Sequence, residues 1–203
     1  SQLKLTADSG GGTVAIKAPA STTGNAALDL TVPGTASATL DTLKRAGNIL
    51  QIVQAVKTDT SSSSSESYAD ISGLSVAITP ASTSNKILVT CNIHVSAHTD
   101  SFQAFKVLRD STAIGLGTAG TGNQTNASFA TMVVNQGSGQ YGLRTGNFEF
   151  LDSPSSTSAL TYKVQWASTY QDYASYINRP HSTVNDDYSI FTSSTITAME
   201  VAA

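Results

Sequence analysis

Residues 84–98 (SNKILVTCNIHVSAH) alternate between apolar and polar side chains so regularly that they predict one long β-strand. One face would carry the core residues Ile87, Val89, Cys91, Ile93 and Val95. The other would carry Leu88, Thr90, Asn92, His94, Ser96 and His98. A strand face exposed to bulk water usually carries Lys, Glu or Arg, but this one carries neutral polar groups and histidines. We therefore expect the second face to contact another polar protein surface.

The composition favours strands and turns over helices. Charged residues make up 12% of the 203 residues, about half the usual share. Ser and Thr together number 56, and both suit strands and turns better than helices. The net charge of −3 and the lack of a basic stripe argue against nucleic-acid binding. No apolar run approaches the ~18 residues of a membrane span, and no signal-peptide pattern opens the chain. From these features we expect that the chain does not insert into a membrane and that it assembles in the cytoplasm.

The first 46 residues differ from the rest of the chain. Three short alternating patches, around Leu3–Leu5, Val14–Ile16 and Leu28–Val32, are separated by Gly- and Pro-rich pieces. Each patch is too small to bury a core alone. A disordered tail is one interpretation. Strict alternation favours the other, an intertwined shaft in which several chains complete each other's core, so we expect 1–46 to be a shaft and attachment segment.

Residues 47–203 predict a single all-β head domain. Strands are expected near 48–58, 73–79, 85–96, 102–109, 127–135, 140–151, 159–170 and 188–202, with Gly, Pro, Asp and Ser at the turns. About eight strands without helical periodicity predict a two-sheet antiparallel jelly-roll sandwich. A short helical turn is expected within Thr39–Gly47.

Alternation also predicts the core of this domain. Beyond the 84–98 strand, we expect it to contain Val53, Phe105–Val107, Phe148–Phe150, Leu160, Tyr162, Val164, Trp166, Phe191, Met199 and Val201. Cys91, the one cysteine, is expected to be a small buried hydrophobe.

The sequence predicts no metal, cofactor or catalytic site. His94 and His98 share a strand face, but four strand residues separate their Cα atoms by about 13 Å, too far for one ion. Three copies of one histidine around a threefold axis would still suit an ion. The Gly-rich pieces at 115–124 and 137–142 match no phosphate-binding motif. No G-x-S-x-G motif occurs, and no two carboxylates stand out as a glycosidase pair.

Residues 170–188 (YQDYASYINRPHSTVNDDY) form the best candidate for a binding loop. They contain four of the seven tyrosines and are long for a structureless connection. Tyr173, Tyr176 and Arg179 are the predicted receptor contacts, with Asn178 and Asp172 supplying hydrogen bonds. The alternative is a loop whose rings pack inward and close one end of the sandwich.

Several segments resemble C-terminal domains of structural proteins from marine bacteriophages. They are GNILQIVQAVKTDT (47–60), GLSVAITPASTSNKILVTCNIHV (73–95), FKVLRDSTAIGLG (105–117) and TITAMEV (195–201), of which AITPASTSNKILV (77–89) is the most specific. In the first part of the chain, GTVAIKAP (12–19) and LDLTVPG (28–34) are similar to shaft segments of phage fibres. The resemblance implies a virion protein with a trimeric jelly roll of the tumour-necrosis-factor-like or complement type. It implies no catalytic residue.

The resemblance gives the neutral strand face an expected role. In a trimeric jelly roll, one sheet of each subunit faces its copies, where like charges would repel and neutral groups can pair with their own images. We expect Thr90, Asn92 and His94 in this interface, together with Thr192, Ser194 and Ile196 of the last strand.

Three functions remain open at this point. The first is a non-enzymatic trimeric fibre or spike at the virion surface, joined to other virion proteins through 1–46 and contacting a host-surface glycan or protein. The second is a capsid decoration protein, which the short N-terminal segment favours because conventional tail fibres begin with a larger docking domain. The third is a glycan depolymerase.

Overall fold

The computed structural model describes residues 45–97, 101–118, 120–133, 142–168 and 173–203. All of the predicted 1–46 segment except Arg45 and Ala46 lies outside these residues, as do His98, Tyr170 and Asp172. The expected helical turn within Thr39–Gly47 is described only from Arg45, where the chain makes a turn closed by a hydrogen bond from Asn48 N to Arg45 O.

Eleven strands make up the secondary structure of the described residues, which contain no helix. They are β1 (Ile49–Lys57), β2 (Ser61–Ser63), β3 (Ala69–Ile78), β4 (Lys86–Ala97), β5 (Ser101–Arg109), β6 (Thr112–Ile114), β7 (Phe129–Val133), β8 (Arg144–Asp152), β9 (Leu160–Ser168), β10 (Ser175–Ile177) and β11 (Ser194–Val201). The eight predicted strands correspond to the eight longest of these. The three-residue strands β2, β6 and β10 were not predicted, since so few residues show no periodicity.

The strands form two antiparallel sheets that pack face to face. The first runs in the order β1-β11-β4-β8, with β10 continuing along β4 beyond β11 and β2 pairing with β10. The second runs β3-β9-β5-β7, with β6 also pairing with β5. If the eight long strands are numbered 1 to 8, the sheets read 1-8-3-6 and 2-7-4-5. This is the strand order of a jelly roll, so the predicted all-β, two-sheet sandwich is confirmed.

The core lies between the sheets and follows the predicted alternation in most strands. In β4, Ile87, Val89, Cys91, Ile93 and Val95 are all buried in it. Leu160, Tyr162, Val164 and Trp166 of β9 are buried as expected, and Val53 and Phe150 pack against the core while partly buried. Burial raises the pKa of the Cys91 thiol to about 12, so this cysteine stays protonated at neutral pH.

The last strand departs from the prediction because its two faces are exchanged. Phe191 precedes β11 and is 58% exposed, and Met199 and Val201 lie half-buried on the outer side of the sheet. The residues that point inward are Ser194, Ile196, Ala198 and Glu200, all of them fully buried. The prediction for this strand was wrong by one residue, which moves every side chain to the opposite face.

Glu200 can occupy an inward position because its carboxylate accepts three hydrogen bonds there. Gln51 Nε2 and Asn85 Nδ2 donate to its two oxygens, and the backbone N–H of Ala81 adds a third bond of 2.6 Å. Burial alone would raise the pKa of Glu200, but these three hydrogen bonds together hold it below its usual range. A charged residue inside the sandwich is thereby compensated by neutral donors rather than by a cation.

Candidate oligomer interface and distal loop

The outward side of the first sheet is the surface on which the sequence predicted an interface. We call it the outer face, defined by the outward residues of β1, β11, β4 and β8. Register places Thr195 opposite Asn92 and Thr197 opposite Thr90, with Asn147 and Glu149 of β8 opposite Asn92 and Thr90 on the other side. All of these residues except Thr197 line a shallow depression of about 390 Å³.

The centre of the outer face is neutral and polar. Thr90, Asn92, Thr195 and Thr197 occupy the two middle strands, and Gln54 Nε2 of β1 donates to Thr197 Oγ1 at 2.8 Å. Two charged side chains share the outer face: Glu149 of β8 lies opposite Thr90 at the edge of the two middle strands, and Lys86 begins β4. Neutral groups that both donate and accept can pair across a symmetry axis without repulsion.

Exposed apolar side chains flank this neutral centre. Ile52 and Val56 of β1 are 61% and 50% exposed, and Leu151 of β8 is 47% exposed. Leu88 and Met199, which pair with each other between these strands, are half-buried on the same side. Apolar groups on both sides of one sheet face mark a surface suited to contact with another protein surface.

Three of the six predicted interface residues lie on the outer face, namely Thr90, Asn92 and His94, of which Asn92 is exposed and the others half-buried. The other three do not. Ile196 packs in the hydrophobic core. Ser194 is buried, where its hydroxyl accepts from His94 N and donates to Asn178 Oδ1. Thr192 precedes β11, half-buried, and its N–H donates to Asn178 O. The corrected partners of Asn92 and Thr90 are Thr195 and Thr197, which sequence reasoning missed because it exchanged the faces of β11.

The loop that follows β9 emerges at the end of the first sheet far from Arg45. Gly47 bonds to Ala202, beside the start of β4, whereas β10 pairs with Val95–Ala97 at the end of β4. Twelve strand residues span about 36 Å between those ends. The region around residues 173–191 is therefore the distal loop, at the opposite end of the head from the point where the chain enters it at Arg45.

Two of the three predicted receptor contacts lie together in this loop. The Arg179 guanidinium stacks 3.8 Å from the centroid of the Tyr176 ring, and its Nη1 donates to the carbonyls of Pro180 and His181. The His181 ring lies 5.4 Å from the Tyr176 ring. Tyr173 is half-buried and its carbonyl accepts from Ser168 Oγ. Tyr176 and Arg179 thus form a stacked, half-buried pair rather than two independently projecting side chains.

Asn178 holds the base of the distal loop and is not free to bind a ligand. It is fully buried with a positive φ of 64°, and its Nδ2 donates to the carbonyls of Lys57 and Asp59. Its Oδ1 accepts from Ser194, and its backbone bonds to both His94 and Thr192. The prediction that Asn178 supplies ligand hydrogen bonds was wrong. Sequence reasoning chose Asn178 because of its residue type, as a side chain suited to hydrogen bonding with a ligand. In the structure its amide instead bonds to the backbone carbonyls of Lys57 and Asp59.

The exposed part of the distal loop is the segment 184–191. Asp186 organises it by accepting from the backbone N–H groups of Tyr188 and Ser189. The large side chains that it exposes are Val184, Tyr188, Ile190 and Phe191, which are 51–70% exposed. Sequence reasoning began the last strand at 188 and placed Phe191 in the core, so this apolar tip was missed.

No group of three His, Cys, Asp or Glu side chains suited to a metal occurs among the described residues. Within those ranges, no helix is long and apolar enough to cross a membrane.

Fold and surface together define the class of this protein as a jelly-roll sandwich with one neutral, apolar-flanked outer face. No protein-family model matches the chain. A search of curated proteins likewise returns no significantly similar sequence.

Proposed function

We propose that this chain is a non-enzymatic structural protein of a bacteriophage particle, a short homotrimeric fibre or spike assembled in the host cytoplasm and carried on the virion surface. The observation that carries the proposal is the outer face. Its neutral centre around Asn92 and Thr195, with exposed Ile52, Val56 and Leu151 on either side, suits self-association around an axis. The resemblance of residues 47–203 to phage structural domains supports the virion assignment.

The proposed partners follow from the two ends of the head. The chain enters the head at Arg45, so residues 1–46 are proposed to attach it to other virion proteins. The distal loop lies at the other end and is proposed to face the host surface. A capsid decoration protein is the alternative, in which the shell contact of 1–46 is the main function and the distal loop has no receptor.

A depolymerase is the third candidate, and the described carboxylates give it little support. Asp152 is held by Arg109 and Tyr162, Asp70 by Lys163 and Gln165, and Glu200 by the three donors described above. Each of these carboxylates already has a structural role. A glycosidase would instead require two that face a shared cleft.

The proposal is tested by particle incorporation. The purified full-length chain should have about three times the 21.0 kDa chain mass in multi-angle light scattering. A variant lacking residues 1–46 should keep the trimer, because the outer face lies wholly in the head, but should not join particles. A folded monomer would contradict the trimer, and normal incorporation of the truncated variant would contradict the attachment role. Location of the chain at the tail or on the capsid shell in a particle reconstruction separates fibre from decoration protein.

The receptor assignment is tested at the distal loop. Replacing Tyr173, Tyr176 and Arg179 together with Ala should leave the trimer intact and lower adsorption to host cells about tenfold or more, since aromatic and Arg anchors dominate interfaces. Tyr188→Ala is the matched control, a single exposed tyrosine in the same loop. Unchanged adsorption in the triple variant would favour the decoration protein, and loss in the control alone would move the contact to the apolar tip.

A further inference from the structure

A second concave site lies on the opposite side of the molecule, on the outward surface of the second sheet. It is a cleft of about 630 Å³ between strands β5 and β7 and the connection from β6 to β7. Its floor includes Phe102, Ala104 and Ala130, and its walls include Glu66, Asn123 and Thr125. A volume of this size falls within the range of small-molecule and saccharide sites.

The wall of this cleft is fixed to the sheet by hydrogen bonds. Gly117 N donates to Ala127 O at 3.1 Å, which closes the connection on itself. The Tyr68 hydroxyl donates to Asn126 O, and Lys106 Nζ lies 4.2 Å from the centroid of the Tyr68 ring. Ser128 Oγ links Ile114 O to Val107 N. A wall held at several points gives the cleft a preformed shape.

The floor is open because its side chains are small. Ala104 and Ala130 are opposite each other in the β5–β7 pair, and neither extends beyond a methyl group. Phe102 lies next to them on the same side and is 43% exposed. A flat ring can therefore approach the sheet over the alanines and meet the aromatic ring at one end.

The lining chemistry selects among ligand classes. Glu66 is the one charged residue among the lining side chains that the structure describes, and Lys106, whose Nζ lies over the Tyr68 ring, does not line the cleft. A phosphate or sulfate group would lack a cationic partner. A purely apolar ligand would bury Glu66, Asn123 and Thr125 without hydrogen bonds, which is unfavourable.

We propose that this cleft binds a neutral oligosaccharide. The apolar face of a sugar ring stacks on Phe102, and its hydroxyl groups exchange hydrogen bonds with Glu66, Asn123 and Thr125. This site is separate from the outer face and from the distal loop. It goes beyond the proposed function, because it requires neither a trimer nor a particle.

The test uses the purified full-length protein and a panel of neutral hexaoses, namely cellohexaose, laminarihexaose, xylohexaose and mannohexaose, in saturation-transfer NMR and calorimetry. At least one is expected to bind. Phe102→Ala should raise its Kd about tenfold or more, and Ala130→Trp should abolish binding by filling the floor. Met132→Ala is the matched control, because Met132 pairs with Phe102 on the same surface but is not part of the cleft lining. It should leave the Kd unchanged.

A double variant on the wall, Asn123→Ala with Thr125→Ala, covers the case in which a strand substitution prevents folding. It should fold normally, since it alters only an exposed connection. It should also raise the Kd about tenfold, because it removes two of the side chains that line the cleft. Absence of binding across the panel, or equal binding by wild type and Ala130→Trp, overturns the proposal. Binding of a sulfated hexasaccharide in preference to the neutral ones overturns the neutral assignment. None of these outcomes depends on whether the chain is trimeric or joins a virion.

Discussion

Replacing Asn92 with Glu is expected to dissociate the trimer. Asn92 is exposed at the centre of the outer face, opposite Thr195. Three copies would bring three carboxylates toward one axis, and at about 8 Å and an effective dielectric of 20 each pair costs about 2 kcal/mol. The sum over three pairs corresponds to roughly four orders of magnitude in the association constant. Sedimentation velocity should show mainly folded monomer at micromolar concentration.

Two further variants make this prediction specific. Ala77→Glu adds the same charge at an exposed strand position of the second sheet and should leave the trimer unchanged. His94→Glu, on the outer face two residues from Asn92, should resemble Asn92→Glu. Trimers that persist in both outer-face variants would show that this surface contacts bulk water, and the proposed self-association would then be wrong.

Replacing Glu200 with Ala is expected to lower the free energy of unfolding by about 2–4 kcal/mol, because the donors of Gln51, Asn85 and Ala81 lose their acceptor in a buried site. Chemical denaturation at pH 7 measures the change. The control is Glu66→Ala, which removes an exposed carboxylate outside the outer face and should change stability by no more than about 0.5 kcal/mol. Equal effects of the two substitutions would contradict the role given to the buried carboxylate.

The same residue predicts a pH dependence. Because the pKa of Glu200 is lower in the folded state than the ordinary value of about 4.3, its stabilising effect is fully present above that value. It is lost as the pH falls through the folded pKa. Glu200→Gln removes the titration, so the stability difference between wild type and this variant should narrow as the pH falls from about 5 to 3. A difference that stays constant over this range would show that the carboxylate does not titrate as described.

How far sequence reasoning reached depended on whether a strand's pattern had one interpretation or two. In β4, five apolar residues alternate with polar ones, and a one-residue shift would bury Thr90, Asn92 and His94. Only one of the two faces could therefore be predicted to point inward. In β11, apolar residues occur at both parities, with Ile196 and Ala198 on one and Met199 and Val201 on the other. Local alternation alone therefore does not decide which set points inward, and the prediction placed Met199 and Val201 in the core.

The candidate sites show the same division. Alternation within single segments was enough to predict the all-β class, the eight long strands, the inward face of β4 and the neutral face on its other side. The face of β11, the burial of Asn178 and the cleft beneath residues 123–125 became evident only in the folded protein. Each of these depends on partners distant in the chain: Glu200 on Gln51 and Asn85, Asn178 on Lys57, and the cleft wall on Tyr68. A buried polar group is stable only where such partners converge, and local periodicity carries no information about that convergence.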